Sequence, residues 1–288
     1  MLAIYKKELR AYFTSLIGYL FVAFLLVFVG VFQYRHNLVN GYANFAYAVN
    51  STTTFFLLLV PMLTMRILAE EKKQRTDQLI FTSPVSIERI ILGKYFALIT
   101  VFAIAVVIIC IYPPVLHNYG ATNYAIAYTT IAAFFLLGCT YMAIGMFISA
   151  LTESQVFAAV LTFMVILFTL MLDMLVEMLP TGHMLALVVL LIIAFVIAVI
   201  TYVMMKNKIV TVVTALVLVG GLVGAYCYDS LMFDGSLAKV FGWLSINSRF
   251  QLFKYGICNI SSYIYYLSLC VLFVFLTIQA IKKRRWEA

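Results

Sequence analysis

The sequence predicts an all-α, polytopic membrane helix bundle, and three observations carry that reading. The 288 residues are 65% hydrophobic and 10% charged, with a mean hydropathy of +1.09. Soluble domains carry about 25% charge and 45–50% apolar residues, so the surplus apolar surface needs lipid as its solvent. The apolar residues gather into eight runs near the ~20 residues that a helix needs to cross a bilayer. The basic residues stand in short clusters beside those runs, as membrane anchors do.

Met1–Thr14 comes first. Lys6, Lys7, Glu8 and Arg10 lie between Leu2, Tyr5, Leu9 and Tyr12/Phe13, which recur at helical spacing. That pattern predicts an amphipathic helix lying on the inner membrane face. Its charge and the lack of a small-x-small site argue against a cleaved signal peptide. The apolar runs follow: Leu16–Phe32, Ser51–Leu68, Tyr95–Leu116, Tyr124–Leu151, Val156–Leu172, Met184–Met205, Ile209–Tyr228 and Tyr263–Ile281. The sixth and seventh are joined only by Lys206-Asn207-Lys208 and read as a tight helical hairpin. If they are re-entrant, the count falls to six. Segment 229–262 mixes Asp229, Asp234 and Lys239 with Phe233, Phe241, Trp243, Phe250 and Phe253, which suits an outer interfacial segment. Pro61, Pro113 and Pro114 are candidate kinks in the second and third spans. The whole of 1–288 reads as one transmembrane domain.

Orientation follows from Lys and Arg. With the N-terminus inside, segments 1–15, 66–94, 206–208 and 282–288 hold three, six, two and four basic residues, 15 of the 19. The outer segments keep Arg35, Lys239, Arg249 and Lys254. The positive-inside rule therefore predicts cytoplasmic termini in a multi-pass protein of the cell membrane. The net charge of +8 is a topology signal rather than a nucleic-acid patch.

Several function classes lose support. No Asp, Glu, Lys or Arg lies well inside a predicted span, whereas gradient-driven transporters place ionisable groups there. Asp173 and Glu177 sit near the outer end of the fifth run. His36, His117 and His183 fall in predicted outer loops and form no HExxH pair; there is no GxSxG, and Gly93-Lys94 is not part of a P-loop. The five cysteines form no CxxC and read as small buried hydrophobes. No catalytic residue, metal site or cofactor is expected, and energy, where the function needs it, should come from a partner.

What remains is Arg66–Lys94, RILAEEKKQRTDQLIFTSPVSIERIILGK. Arg66–Arg75 continues the second span and ends in Glu70, Glu71, Lys72, Lys73 and Arg75. Thr76-Asp77 is a helix N-cap signal, and Gln78–Phe81 offers an apolar turn. Ser83-Pro84 is a cap followed by proline at the first helical position, launching Ile87–Tyr95 into the third span. The spacing predicts a short helix parallel to the membrane between spans two and three. Leu79, Ile80 and Phe81 in this polar setting are either a docking knob for a cytoplasmic partner or a turn folded back onto the headgroups.

The run Pro61, Thr64-Met65-Arg66, Ala69-Glu70-Glu71-Lys72, Arg75-Thr76, Leu79-Ile80, Thr82-Ser83-Pro84-Val85-Ser86 and Leu92-Gly93-Lys94 resembles the type-2 ABC transporter permeases. Within them it is most similar to the gliding-motility and nitrous-oxide-associated branch. Ser261-Ser262-Tyr263, Tyr265-Tyr266-Leu267-Ser268 and Lys283-Arg284-Arg285-Trp286 also look like that branch, and Lys6-Lys7-Glu8-Leu9 fits the family's amphipathic first helix. Where Arg75 stands, the family usually has glycine. Six spans are usual in the wider family, so the 184–228 hairpin would be a branch feature.

The resemblance implies a membrane-spanning exporter subunit paired with a second permease subunit, in a homo- or heterodimer. Two cytoplasmic ABC ATPase subunits would bind the ATP. It implies an ATPase-coupling helix around Thr76–Ser86, with Asp77, Leu79, Ile80, Phe81, Thr82, Ser83 and Pro84 in the contact. Glu70, Glu71 and Arg75 would be rim charges, or ordinary solvated ones. Lys6, Lys7 and Glu8 would belong to the amphipathic helix that moves with it. A membrane scaffold without cargo, a passive transporter and a membrane enzyme are the competing classes.

Overall fold

A computed structural model describes residues 1–178 apart from 43, 77–84 and 119–122, and residues 245–287 apart from 258, with 187–189, 191, 220 and 242. Among these residues all regular structure is helical. The elements are α1 (Leu2–Thr14), α2 (Leu16–Gln33), α3 (Ala46–Thr52), α4 (Phe56–Thr64), α5 (Ala69–Lys73), α6 (Ile87–Ile109), α7 (Tyr112–His117), α8 (Tyr124–Leu151), α9 (Gln155–Met178), α10 (Ile246–Lys254) and α11 (Ile260–Glu287). A π-helical stretch, Tyr34–Val39, prolongs α2, and a 3₁₀ turn, Thr53–Phe55, joins α3 to α4. Residues 170–245 form a second compact unit, separate from 1–169 with 246–288.

Six stretches among the described residues are long and apolar enough to cross a membrane: Leu16–Val39, Ala46–Lys73, Ile87–His117, Tyr124–Leu151, Gln155–Leu172 and Ile260–Lys283. They overlap six of the eight predicted runs, with the same bounds only for Tyr124–Leu151. The other two, Met184–Met205 and Ile209–Tyr228, lie outside the described residues, as do His183 and the side chains of Asp173 and Glu177. In the interfacial segment, α10 is the described helix.

α8 is the central post, with 78% of its apolar window buried against 28% for the first, fifth and last spans. Helices in lipid gain no hydrophobic drive from touching one another, so close packing and hydrogen bonds must hold them. α8 supplies both. Phe134 stacks on Phe56 of α4 at 4.8 Å and meets Phe102 of α6 at 5.8 Å in a tilted pair. Each such pair contributes about 0.5–1.5 kcal/mol beyond area burial. Tyr95 on α6 donates to the Cys139 carbonyl at 3.0 Å, and Tyr263 on α11 donates to the Thr129 carbonyl at 3.0 Å.

Of the three expected kink prolines, Pro61 lies within α4, and Pro113 and Pro114 stand at a break between helices. α6 stops at Ile109 and α7 restarts at Tyr112, with Pro113 and Pro114 in its first turn. Pro114 has no N–H for the Cys110 carbonyl, and that carbonyl takes the Tyr128 hydroxyl at 3.4 Å. One expected boundary shifts. The third span starts at Ile87 with Ser86 as its extended N-cap residue, not from a Ser83-Pro84 cap. Ser86 stands immediately before the first buried position, Ile87, so the helix begins where its apolar face begins.

Candidate functional site

At one end of the bundle, α1, the base of span 2 and the start of span 3 meet around a buried lysine. Periodicity explains its position. Ile87, Ile90, Ile91, Lys94, Leu98 and Val101 share one buried face of α6. Lys94 is 1% exposed. Its ammonium donates to Glu8 Oε1 of α1 at 3.0 Å, to Glu71 Oε1 of α5 at 2.7 Å and to the Ile67 carbonyl at 3.0 Å. An ammonium has three donors, and here each has its own acceptor. A buried cation with unmet donors would cost several kcal/mol, so this full pairing is the condition for its burial.

The Ile67 carbonyl is available because span 2 is broken. Between α4 and α5 the chain makes a turn over 65–68, with the Ile67 N–H bonded to the Thr64 carbonyl at 3.3 Å. Three carbonyls around the break accept side-chain donors instead of helical N–H groups. Leu63 accepts from the Tyr12 hydroxyl at 3.0 Å, Met65 from the Ser149 hydroxyl at 3.3 Å, and Ile67 from Lys94. The donors come from α1, α8 and α6 respectively. Ser149 Oγ also accepts from the N–H groups of Leu68 and Ala69, at 3.3 and 3.1 Å, which caps α5 from outside. Lys72 donates to the Ala150 carbonyl near the end of α8. Burial pushes the Tyr12 phenol far above its ordinary range, so it stays protonated as a donor.

α1 fits against α6 because Gly93 has no side chain. A Cβ there would lie 3.2 Å from the Met1 carbonyl oxygen and 3.5 Å from Ile4 Cβ. Tyr5 completes the seam, its hydroxyl 3.0 Å from Thr100 Oγ1. A cleft of about 230 Å³ opens between α1 and the base of span 2, lined by Lys7, Glu8, Tyr12, Arg66, Glu70 and Glu71 among others. Arg66 Nε pairs with Glu70 at 2.9 Å, and the exposed Lys7 lies 3.8 Å from Glu71. At the same end Lys282 of α11 meets Glu88 of α6 at 2.7 Å. Among the described residues no group of three His, Cys, Asp or Glu is placed to hold a metal ion.

The family described as "ABC-2 family transporter protein" matches residues 2–182, well over half of the chain. The chain belongs to that family. Its members are membrane components of transporters and are implied in general to work with an ABC ATPase. No curated protein matches the chain.

In this ABC-2 protein the predicted site residues fall into two groups. Asp77, Leu79, Ile80, Phe81, Thr82, Ser83 and Pro84 lie outside the described residues. Lys6, Lys7, Glu8, Glu70, Glu71, Arg75 and Thr76 are described. Glu8 and Glu71, 12% and 17% exposed, point inward onto Lys94, while Lys6, Lys7 and Arg75 face outward. Lys94 lies one residue outside the expected run Tyr95–Leu116 and is nevertheless buried. It stands in the helical stretch Ile87–His117 and not in a solvated loop.

Arg75 ends α5 in a left-handed turn at φ 56°. Its N–H bonds to the Lys72 carbonyl at 3.1 Å and the Thr76 N–H to the Glu71 carbonyl at 3.0 Å. That is a Schellman cap, whose left-handed residue is usually glycine. The turn therefore forms with an arginine in a backbone region that favours glycine. Thr76 closes this cap, its hydroxyl donating to the Glu71 carbonyl at 3.3 Å, and the helix expected to follow Thr76-Asp77 lies outside the described residues. Arg75→Gly should relieve the left-handed cost and raise stability by about 0.5–1 kcal/mol. Thermal unfolding in detergent measures it, and an unchanged or lower midpoint would count against the strain.

Proposed function

We propose that this ABC-2 protein is the membrane-spanning permease subunit of an ATP-driven exporter, coupled to a separate cytoplasmic ATPase. The observation that carries the reading is the mooring of both ends of segment 77–84. On one side α5 is fastened to α6, α8 and α1 through Glu71, Lys72, Ser149 and Lys94. On the other side α6 is fastened to α1 and, through Glu88, to α11. A push on 77–84 would reach four spans and the amphipathic helix, which is what a coupling element requires. Asp77 and Leu79–Pro84 would supply the docking contact, and Glu70 and Arg75 its rim.

In this reading both termini are cytoplasmic, the subunit pairs with a second permease, and the chain belongs to the gliding-motility and nitrous-oxide-associated branch with eight spans. The test is co-expression with the candidate ABC ATPase and purification through a tag on this chain. The ATPase should come along and hydrolyse ATP. Leu79→Asp with Phe81→Asp should cut its recovery by about tenfold or more, as for losing the apolar centre of an interface. A chain that purifies without any ATPase in mild detergent, or a variant that retains it fully, would overturn the proposal.

A further inference from the structure

We propose that Lys94 is a positioning residue that fastens α1 to the hinge at the base of span 2, so that α1 moves with segment 77–84 and is not driven by its own contact with a partner. This inference rests on the reading of the chain as an ATPase-coupled permease. Three observations carry it. First, the break at 65–68 is a true interruption of span 2, with the carbonyls of Leu63, Met65 and Ile67 handed to side chains. A helix interrupted at its base can bend there at the cost of moving those side chains, not of breaking its own ladder. Second, two of the three side chains that hold the break also hold α1. Tyr12 belongs to it, and Lys94 grips it through Glu8. Third, the one acid of α1, Glu8, is 12% exposed and bonded inward to Lys94, so its charge is taken up within the bundle, while Lys6 and Lys7 face outward.

The chemistry selects lysine. A tetrahedral ammonium sends three N–H groups to acceptors on three different segments at 2.7–3.0 Å. A planar guanidinium would direct its donors in one plane and needs more room. Glu8 is the only leg of this tripod that reaches α1, so Glu8→Gln loosens α1 while leaving Lys94 paired with Glu71 and Ile67.

The test is hydrogen exchange on the complex of this chain with its candidate ABC ATPase, with and without trapping by ADP and vanadate. In the natural chain, trapping should change exchange in α1 and in α6 together. In Glu8→Gln, α1 should exchange about tenfold faster at rest, as for one lost charge-assisted hydrogen bond. Trapping should then change α6 as before and α1 clearly less than in the natural chain, since the Tyr12 bond to Leu63 remains. Because Lys94→Met removes the cation on which this end depends, Glu8→Gln is the primary variant and Lys94→Arg the second, with α1 loosened in both. An α1 that still responds to trapping in Glu8→Gln as in the natural chain overturns the proposal. So does loss of the ATPase from Glu8→Gln, which would put Glu8 in the partner contact. Failure of the natural chain to bind the ATPase would instead sink the function reading on which this one rests.

Discussion

Lys94→Met should lower stability by about 3–5 kcal/mol, the cost of removing one partner from a buried ion pair. Methionine keeps most of the volume, so the loss is electrostatic. It strands the Ile67 carbonyl and leaves the Glu8 and Glu71 carboxylates side by side with no buried cation. Exposed Lys7, 3.8 Å from Glu71 and 67% exposed, is too well solvated to substitute. Neutralising both acids in the same chain, with Glu8→Gln and Glu71→Gln, should recover most of the loss, because the tripod is then replaced by neutral groups. Chemical unfolding in mixed micelles compares the three chains. A single variant within about 1 kcal/mol of the natural protein would mean that the ammonium is not held by its partners.

Gly145→Val should cost about 3 kcal/mol, at the upper end of ordinary overpacking. A Cβ on Gly145 would lie 2.4 Å from Thr64 Oγ1 and 2.9 Å from Thr64 Cβ. Thr64 cannot swing away. It is fully buried, β-branched, and its hydroxyl donates to the Val60 carbonyl at 2.9 Å. The clash would push α8 from α4 one turn from the hinge, where Ser149 must still reach Met65, Leu68 and Ala69. Thr64→Ala removes the nearest atom, so the double variant should be less damaged than the sum of the two single ones. Strict additivity would show that the helices separate there anyway.

The spans were legible because lipid imposes a length and a composition that few other structures share. Tyr124–Leu151 runs between the same residues in the sequence and in α8. The amphipathic helix was legible from Leu2, Tyr5, Leu9 and Tyr12, although only Tyr12 of these is fully buried and Leu2 remains exposed. The tripod was not. Glu8 and Glu71 stand 86 and 23 residues from Lys94, and no local spacing joins them. A signal did exist: Lys94 keeps step with Ile87, Ile90, Ile91 and Leu98, a cation on an apolar face. Counting it with the polar loop Arg66–Lys94 hid that periodicity. The break at 65–68 was equally hidden, since Pro61 marks the span but no glycine or proline stands in the turn itself.

The donors and acceptors at the hinge are also separated in time of synthesis. Glu8 and Glu71 leave the ribosome before Lys94, and Ser149 follows Met65 by 84 residues. At 5–20 residues per second, Glu8 waits roughly 4–17 s for its cation, and the turn in span 2 waits about as long for Ser149. Two early-made acids and a bare turn therefore stay in water or headgroups until later helices arrive. The base of span 2, among the first parts translated, would be among the last to set. A stall or slow insertion between the third and fourth spans would leave this end open to proteases while the first two spans were already in place.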